Sequence, residues 1–350
     1  MGVAYQPTDE SELSGHRQAP WRAWTTPRRQ SSTRSQTLET ATNRWADRRR
    51  PAAGCGRRSA ARAEPSTSSA ADAYRVAGSL RLTRPYRVRV QSYAPTPTGW
   101  PEDLTLTIAA IADVHYGDPV LEPKHLQQII DATNALDADL IVLLGDYGAT
   151  HHTAEEHQRS MADFAQAARQ LSAPLGVYGV LGNHDWWSDP DAQATRRGPI
   201  VAHRALTDVG IRVLENDAVR LTHHGHTFWV AGLGDQMAFP YEPIAGVDDL
   251  AATIAALTDD APAILLAHEP DIFATTPARF ALTLSGHTHG GQVKILGRTP
   301  IVPSRFGNRY VHGHVVEDDR HLIVSGGLGV STLPIRIGVP PEVVHVLLGF

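Results

Sequence analysis

Leu181-Gly182-Asn183-His184-Asp185 sets a glycine, an amide, an imidazole and a carboxylate in four consecutive positions. The stretch directly follows Val177-Tyr178-Gly179-Val180, a β-branched and aromatic run that reads as a buried parallel strand. Open α/β sheets hold their ligands just past the carboxyl ends of their strands, so polar groups at this point mark a site. Other strands end the same way. Leu106–Ala112 runs into Asp113-Val114-His115, and Leu140–Leu144 runs into Gly145-Asp146. Further on, Ile264–Ala267 runs into His268, and Leu282–Ser285 into Gly286-His287-Thr288-His289. Five strand ends therefore present Asp, His or Asn.

Outward from these ends, strands alternate with helical patterns. Pro123–Leu136 has Pro123 near its start and Leu126, Ile129, Ile130 and Leu136 near helical spacing. Thr153–Leu171 is expected as a second helix and Asp191–Val209 as a third, stopped by Gly210. Ala218–Leu221 and Thr227–Gly232 form a hairpin around His223-His224-Gly225-His226, and Val247–Leu257 is helical. After His289 the chain turns β-rich, with strands expected at Gln292–Ile295, Tyr310–Val316, His321–Ser325 and Val343–Leu348. The order implies one mixed α/β layered domain over residues 104–350. Residues 76–103 read as an extended lead-in arm, with Leu80, Leu82, Tyr86, Val88 and Val90 alternating as in an edge strand.

Residues 1–75 are rich in Arg, Ser, Thr, Ala and Pro, show neither strand nor helix period, and are expected to be a disordered leader. They hold thirteen Arg, no Lys and seven acids, a net of +6, which leaves −11 for the remainder of a chain whose formal charge is −5. An acidic domain argues against a nucleic-acid partner, which wants clustered Lys and Arg. Trp21, Trp24 and Trp45 in the leader are candidate anchors for a partner or a bilayer surface, though scattered aromatics in a tail are commonly idle. The single Cys55 excludes a disulfide framework and thiolate metal ligation. Arg28-Arg29 is followed by Ser31-Ser32-Thr33-Arg34 instead of an apolar segment, and no run approaches the 18 apolar residues of a membrane helix. The expectation is a cytoplasmic enzyme, with membrane association as the alternative.

Asp113, His115, Asp146, Asn183, His268, His287 and His289 offer carboxylate, imidazole and amide donors without sulfur. Such a set suits Mn²⁺, Fe, Zn²⁺ or Ni²⁺ better than Mg²⁺ or Ca²⁺, which prefer oxygen alone. Seven ligands exceed one mononuclear site and fit two metals sharing a carboxylate. Asp146 is the candidate bridge, because the glycine before it lets backbone approach closely. In Asp113-x-His115 and His287-x-His289 the two side chains lie on one face of an extended strand end. His312-x-His314 has the same spacing inside an alternating strand and reads as structural, as do His223, His224 and His226 at a hairpin tip and His151 and His152 in a loop.

Taken in order over residues 104 to about 295, Asp113-x-His115, Gly145-Asp146, Gly182-Asn183-His184-Asp185, His268 and Gly286-His287-Thr288-His289 resemble the five blocks of the calcineurin-like metallophosphoesterase superfamily. Further matches resemble its bacterial branch of UDP-2,3-diacylglucosamine hydrolase-like and YkuE/YaeI-like phosphodiesterases. These are Leu265-Leu266-Ala267-His268-Glu269-Pro270-Asp271, Gly290-Gly291-Gln292, Gly326-Gly327-Leu328-Gly329-Val330-Ser331, Pro334-Ile335-Arg336 and Pro340-Pro341-Glu342. Members of that branch often carry an N-terminal membrane helix or export signal, which is not seen here.

The resemblance implies a four-layer α/β/β/α sandwich of two mixed sheets flanked by helices, and a dinuclear site with manganese as the leading metal. One metal would take Asp113, His115, Asp146 and His289, the other Asp146, Asn183, His268 and His287. His184 would be a catalytic imidazole, a general acid or charge stabiliser, with Asp185 orienting it. The implied reaction is attack of a metal-activated hydroxide on the phosphorus of a phosphodiester, pyrophosphate or phosphomonoester, carried by a small molecule or a lipid. Trp186 and Trp187 are candidate cleft walls, and Gln292 and Arg336 candidate phosphate contacts. A phosphoprotein phosphatase and a non-enzymatic scaffold on the same fold are the alternatives. The scaffold is disfavoured because every ligand position is filled.

Overall fold

The computed structural model describes residues 86–350 except 119–120, 151–152, 242–243, 296–298 and 332–333. The expectations for the leader, for the arm before Tyr86, and for His151 and His152 lie outside these residues.

Two six-stranded sheets form the body. In chain order the first takes β1 (Arg89–Tyr93), β2 (Leu106–Ile111), β3 (Leu140–Leu143), β4 (Val177–Gly179) and β5 (Arg212–Val213), and the last strand, β12 (Glu342–Leu348), returns to it. Its spatial order is β1-β12-β2-β3-β4-β5, parallel throughout except that β12 runs antiparallel to β2. The second sheet takes β6 (Asp217–His223), β7 (His226–Gly232), β8 (Ala263–Leu266), β9 (Phe280–Ser285), β10 (Gly313–Glu317) and β11 (Arg320–Val324), ordered β10-β11-β9-β8-β7-β6. Its outer pairs β10–β11 and β6–β7 are antiparallel and its inner four strands parallel.

Strand alternation decides what each face covers. Leu106, Ile108 and Ala110 of β2 point between the sheets, where they meet Phe228, Val230, Ile264, Leu266, Leu282 and Leu284. The intervening Ala109 and Ile111 point outward to Ile129, Met161, Phe164 and Leu206 on helices α1 (Pro123–Asn134), α2 (Ala154–Ala168) and α5 (Val201–Asp208). Leu250 and Ile254 of α6 (Leu250–Ala255) cover the outer face of the second sheet at Trp229, Ala231 and Leu265. Helix, sheet, sheet, helix is the layer order the resemblance implied, and neither sheet could bury both faces otherwise.

Some element boundaries differ from expectation. The span Asp191–Val209 is two helices, α4 (Pro190–Thr195) and α5, because Arg196 closes α4 in the left-handed region (φ 54°) and Gly198-Pro199 breaks the backbone donor series. Asp189 caps both, accepting from Ala192 N at 3.0 Å and Val201 N at 2.8 Å. Gln292–Ile295 is no regular strand, since Gly290, Gly291 and Gln292 all have positive φ; Val293 makes only isolated bridges to Ile337 and Gly338. Tyr310 closes a 3₁₀ turn, Gly307–Tyr310, so the strand there starts at Gly313. The helix expected over Val247–Leu257 is confined to α6 behind an Asp249 cap. The β6–β7 hairpin has a two-residue turn, His224-Gly225, with φ of 49° and 85°, the conformation that matches strand twist.

The register positions the site. Ile111 pairs with Leu143 and Leu143 with Gly179, so β2, β3 and β4 stop at one level. Leu266 pairs with Leu284 and Val324 with Ser285, which levels the second sheet's ends in the same way. The polar residues that follow have nowhere else to converge.

Candidate metal centre

All seven expected ligands meet in one buried cluster. Asp113, His115, Asp146 and His289 form one set of donor atoms within 4.8 Å of each other, and Asp146, His268 and His287 a second. Asp146 is in both. Its Oδ2 lies 3.6 Å from His115 Nε2 and 3.2 Å from His268 Nε2. Asn183 Oδ1 lies 3.2 Å from His268 Nε2 and 2.9 Å from His287 Nδ1, so the amide joins the second set.

The outer nitrogens of two histidines fix which lone pair faces inward. His268 Nδ1 donates to Leu144 O at 2.7 Å, and His287 Nε2 donates to Pro303 O at 2.9 Å. With His268 neutral, its Nε2 converges with His287 Nδ1 and Asn183 Oδ1 as three acceptors with no donor among them. In the first set, His115 Nε2 and His289 Nε2 share a hydrogen bond of 3.0 Å, while the buried Asp113 Oδ2 has no hydrogen-bond partner. Buried acceptors left this way are costly unless a cation sits among them, so the donor set fits divalent metal ions.

Electrostatics agree in the first set; in the second, burial is outweighed by the charge and hydrogen bond of Asp146, which raise His268 well above the usual imidazole range. Burial, with His184, His268 and Arg336 adding to it, drives His115 down to about 3 against the pull of Asp146. His289 is held well below its usual range by burial and by His115. Both rings are thus neutral, the state that ligates. Burial would raise Asp146, but His268, His184 and His115 outweigh it and keep this carboxylate ionised. Burial pushes Asp113 up to about 7, with the charge of Asp146 adding to it, against the pull of His268, the His287 amide and Arg336.

Local backbone explains the placement. Gly145 has φ 94°, and a Cβ on Gly182 would stand 2.3 Å from Asp146 Oδ1. Only glycine lets the β3 and β4 turns approach this closely. Gly182 caps the short α3 (Asn183–Trp187), which presents Asn183 inward and leaves His184 half-buried. His184 N donates to Asp146 Oδ1 at 2.9 Å, and its ring packs edge-on against His115 and Trp187, with centroids 5.3 and 4.8 Å away.

The hydrogen bonds of Asp185 go to backbone amides of two turns. Its Oδ2 accepts from Asp146 N and Gly182 N, both at 2.9 Å, and its Oδ1 accepts from Tyr147 N at 3.0 Å. Those bonds clamp the Gly145-Asp146-Tyr147 turn to the α3 turn. Burial and the charge of Asp146 push Asp185 up to about 7, against the pull of these amides. Trp186 is core, 1% exposed and against Phe239, and Trp187 is half-buried, packed against the same core cluster and edge-on to His184. Gln292 accepts from Ser331 N at 2.5 Å. His312 bonds Glu342 at 2.8 Å and His314 meets His321 at 3.0 Å, and neither joins the two ligand sets.

Some participants carried no sequence signal of their role. Arg336 donates to Gly329 O and Gly326 O at 2.6 and 2.7 Å, which holds its Nη2 3.2 Å from His289 Nδ1. A guanidinium there offsets the charge of Asp113. Asp235 and Glu269 lie behind His268 as a buried carboxyl pair; burial and Glu269 raise Asp235 well above the carboxylate range. Tyr147 donates from its hydroxyl to Val180 O and accepts from Gly145 N at 3.1 Å, pinning the β3 turn to β4.

Residues 106–291 match the calcineurin-like phosphoesterase family model. The chain is 32% identical to the uncharacterized metallophosphoesterase YkuE of Bacillus subtilis, over 67% of this chain and 76% of that protein. It is 26% identical to an uncharacterized metallophosphoesterase of Aquifex aeolicus, over 75% of this chain and 92% of that protein. A transmembrane protein with metallophosphoesterase domain from Danio rerio is also 26% identical, over 71% of this chain but 54% of that protein. This chain thus spans only about half of some relatives. No helix among the described residues is long and apolar enough to cross a membrane. Among solved structures, TT1561 of Thermus thermophilus aligns over 64% of this chain and 90% of that one, with TM-score 0.39 and 17% identity. With five motif blocks at five strand ends, a buried His/Asp cluster and a family match covering most of the domain, the chain belongs to the calcineurin-like phosphoesterases and is a metal-dependent hydrolase of phosphoester bonds.

Proposed function

We propose that the centre holds two divalent transition-metal ions, manganese foremost, and hydrolyses a phosphodiester or pyrophosphate. Asp113, His115, Asp146 and His289 would hold one ion, and Asp146, Asn183, His268 and His287 the other. The observation that carries this is the Asp146 carboxylate, ionised and common to both donor sets. When bound, a metal pair supplies an acidified water near neutral pH and positive charge for the phosphoryl oxygens. The chain's own residues do the rest. Asp185 holds the Asp146 turn in place through three amides. His184, the half-buried imidazole beside the ligands, delivers a proton to the leaving oxygen. Trp187, its indole N–H bonded to Met237 O at 2.7 Å, holds the face of His184 away from bulk water. The test is metal analysis of purified protein with turnover of aryl phosphodiesters and monoesters. Two ions per chain and chelator-sensitive diester hydrolysis are expected; full activity from metal-free protein would overturn the reading.

A lipid-linked substrate is the second reading, and the rim favours it. Ile295, Ile301, Phe306, Ile335 and Ile337 are exposed, at 58, 77, 37, 38 and 50%. They lie on two segments joined at Val293, Ile337 and Gly338, beside His289 and Arg336. Residues 286–316 contain four Lys or Arg and no acid, in an otherwise acidic domain, with Arg305 and Arg309 paired to Asp271 and Glu317 from outside the stretch. Apolar residues interleaved with cations suit an anionic bilayer surface. Sedimentation with anionic but not neutral vesicles, lost in Ile301→Glu/Phe306→Glu, is the expected result.

A further inference from the structure

The Leu265–Asp271 segment matched the family branch, yet only His268 in it reaches the donor sets. Asp271 sits at the start of a 3₁₀ turn, Pro270–Ala274, three residues past His268. Its carboxylate grips a loop more than thirty residues further along the chain. Asp271 Oδ1 accepts from Ser304 Oγ at 2.5 Å, and Oδ2 accepts from Arg305 N at 2.9 Å and Arg305 Nε at 3.3 Å. Ser304 Oγ in turn accepts from Phe306 N at 3.0 Å. The residue before this clamp is Pro303, whose carbonyl accepts from His287 Nε2.

That carbonyl decides which nitrogen of His287 is free to ligate. With Nε2 carrying the proton toward Pro303, the Nδ1 lone pair faces Asn183 Oδ1 and the second donor set. Pro303 has no N–H and is itself exposed, so nothing from its own amide anchors it. The anchor is the next two residues, and both are held by Asp271. One carboxylate thus ties the strand end that bears His268 to the ring of His287.

We propose that Asp271 is the positioning residue of the second metal site, acting through Ser304 and the Pro303 carbonyl on His287. The inference rests on the dinuclear reading above. Asp271 makes no hydrogen bond to a ligand atom of the two sets, so its removal acts on His287 through ring orientation and through the loss of a nearby negative charge. Loss of an outer partner of a ligating histidine typically weakens metal binding ~10–100-fold. The first site, whose histidines contact neither Pro303 nor Asp271, keeps its affinity.

The experiment is calorimetric titration of chelator-treated full-length protein with Mn²⁺, for wild type, Asp271→Ala, Ser304→Ala and His287→Ala, with and without Asp271→Ala on the last. Two sites are expected in wild type. Asp271→Ala lowers one of them by ~10–100-fold and leaves the other; Ser304→Ala, which removes one of the clamp's bonds, lowers the same site by less. On the His287→Ala background Asp271→Ala adds no further loss. If Asp271→Ala does not fold, the selective loss in Ser304→Ala carries the test. Equal weakening of both sites, unchanged affinity in both single variants, or an additive loss on the His287→Ala background would overturn the inference while leaving the dinuclear reading intact. A single site in wild type would overturn both.

Discussion

Asp185→Asn separates two accounts of a residue at the heart of the site. The substitution keeps size and shape and removes one acceptor. Asp185 Oδ2 accepts two amides and Oδ1 one, so the Asn side chain does best with its oxygen at the Oδ2 position. Its NH₂ then faces the buried Tyr147 N–H, donor against donor. A hydrogen bond to a charged group contributes about 1.5–3 kcal/mol, and a buried donor left unmet costs about 1–3 kcal/mol; these overlap, so about 2–4 kcal/mol is expected. For a domain of this size that is a fall in Tm of roughly 4–16 °C. The assay is urea unfolding in chelator at pH 8, above the value to which Asp185 is pushed, so that the wild-type carboxylate is ionised. Chelator removes any linkage to metal binding. A loss below about 0.5 kcal/mol, combined with a displaced pH profile for kcat, would refute the clamp and restore Asp185 to the orienting role on His184 that the resemblance implied.

Asp146→Asn should lower metal content at both sites, because its carboxylate is the one group common to the two donor sets; elemental analysis after desalting checks this, and retention of two ions would contradict it. His184→Ala should retain both metals. It should cost ~10²–10⁴-fold in kcat/KM on an alkyl diester and much less on a nitrophenyl diester, whose leaving group hardly needs a proton. Equal losses on the two esters would instead assign His184 to charge stabilisation.

The clustered donors were legible because each follows an apolar strand, and strand ends of a layered α/β fold gather at one edge whatever the connections between them. The false histidine pairs were legible for the same reason in reverse: His312 and His314 flank no such end and pair with Glu342 and His321. The contacts of Asp185, Arg336 and Asp271 were not legible. Asp185 is adjacent to His184 in sequence, yet its bonds go to amides 38 and 39 residues away and to Gly182. Arg336 reaches His289 across 47 residues, and Pro303 reaches His287 across 16. Each of these contacts depends on how loops fold back over the sheet edge, which no local period encodes. The missed helix break at Gly198-Pro199 was different: the signal was present in the dipeptide, and the surrounding apolar spacing hid it.

Backbone conformation adds a last consequence, one that tests the centre as a whole. Among the described residues twelve non-glycine positions have positive φ, and five of them are Asp113, His115, Asp146, His287 and His289, at 51, 45, 59, 68 and 52°. Left-handed backbone costs about 1–2 kcal/mol for a residue with a Cβ, so the five together hold strain on the order of 5 kcal/mol. Turn hydrogen bonds such as Asp113 N to Gly145 O and His115 N to Asp146 O, both 3.1 Å, hold part of it. They do nothing for the converging acceptors or for the proximity of Asp113 to Asp146. Cation binding relieves those terms in the folded state alone. An ion at 100 times its Kd stabilises by about 2.7 kcal/mol, so two ions give about 5 kcal/mol and raise Tm by roughly 10–20 °C. Thermal unfolding of the full chain, before and after chelation and again with Mn²⁺ restored, measures this directly. The gain should grow with Mn²⁺ concentration and vanish in Asp146→Asn. A shift under about 2 °C, with metal removal verified by elemental analysis, would mean that hydrogen bonds alone hold the left-handed turns and that the ligands are not preorganised against a penalty that metal lifts.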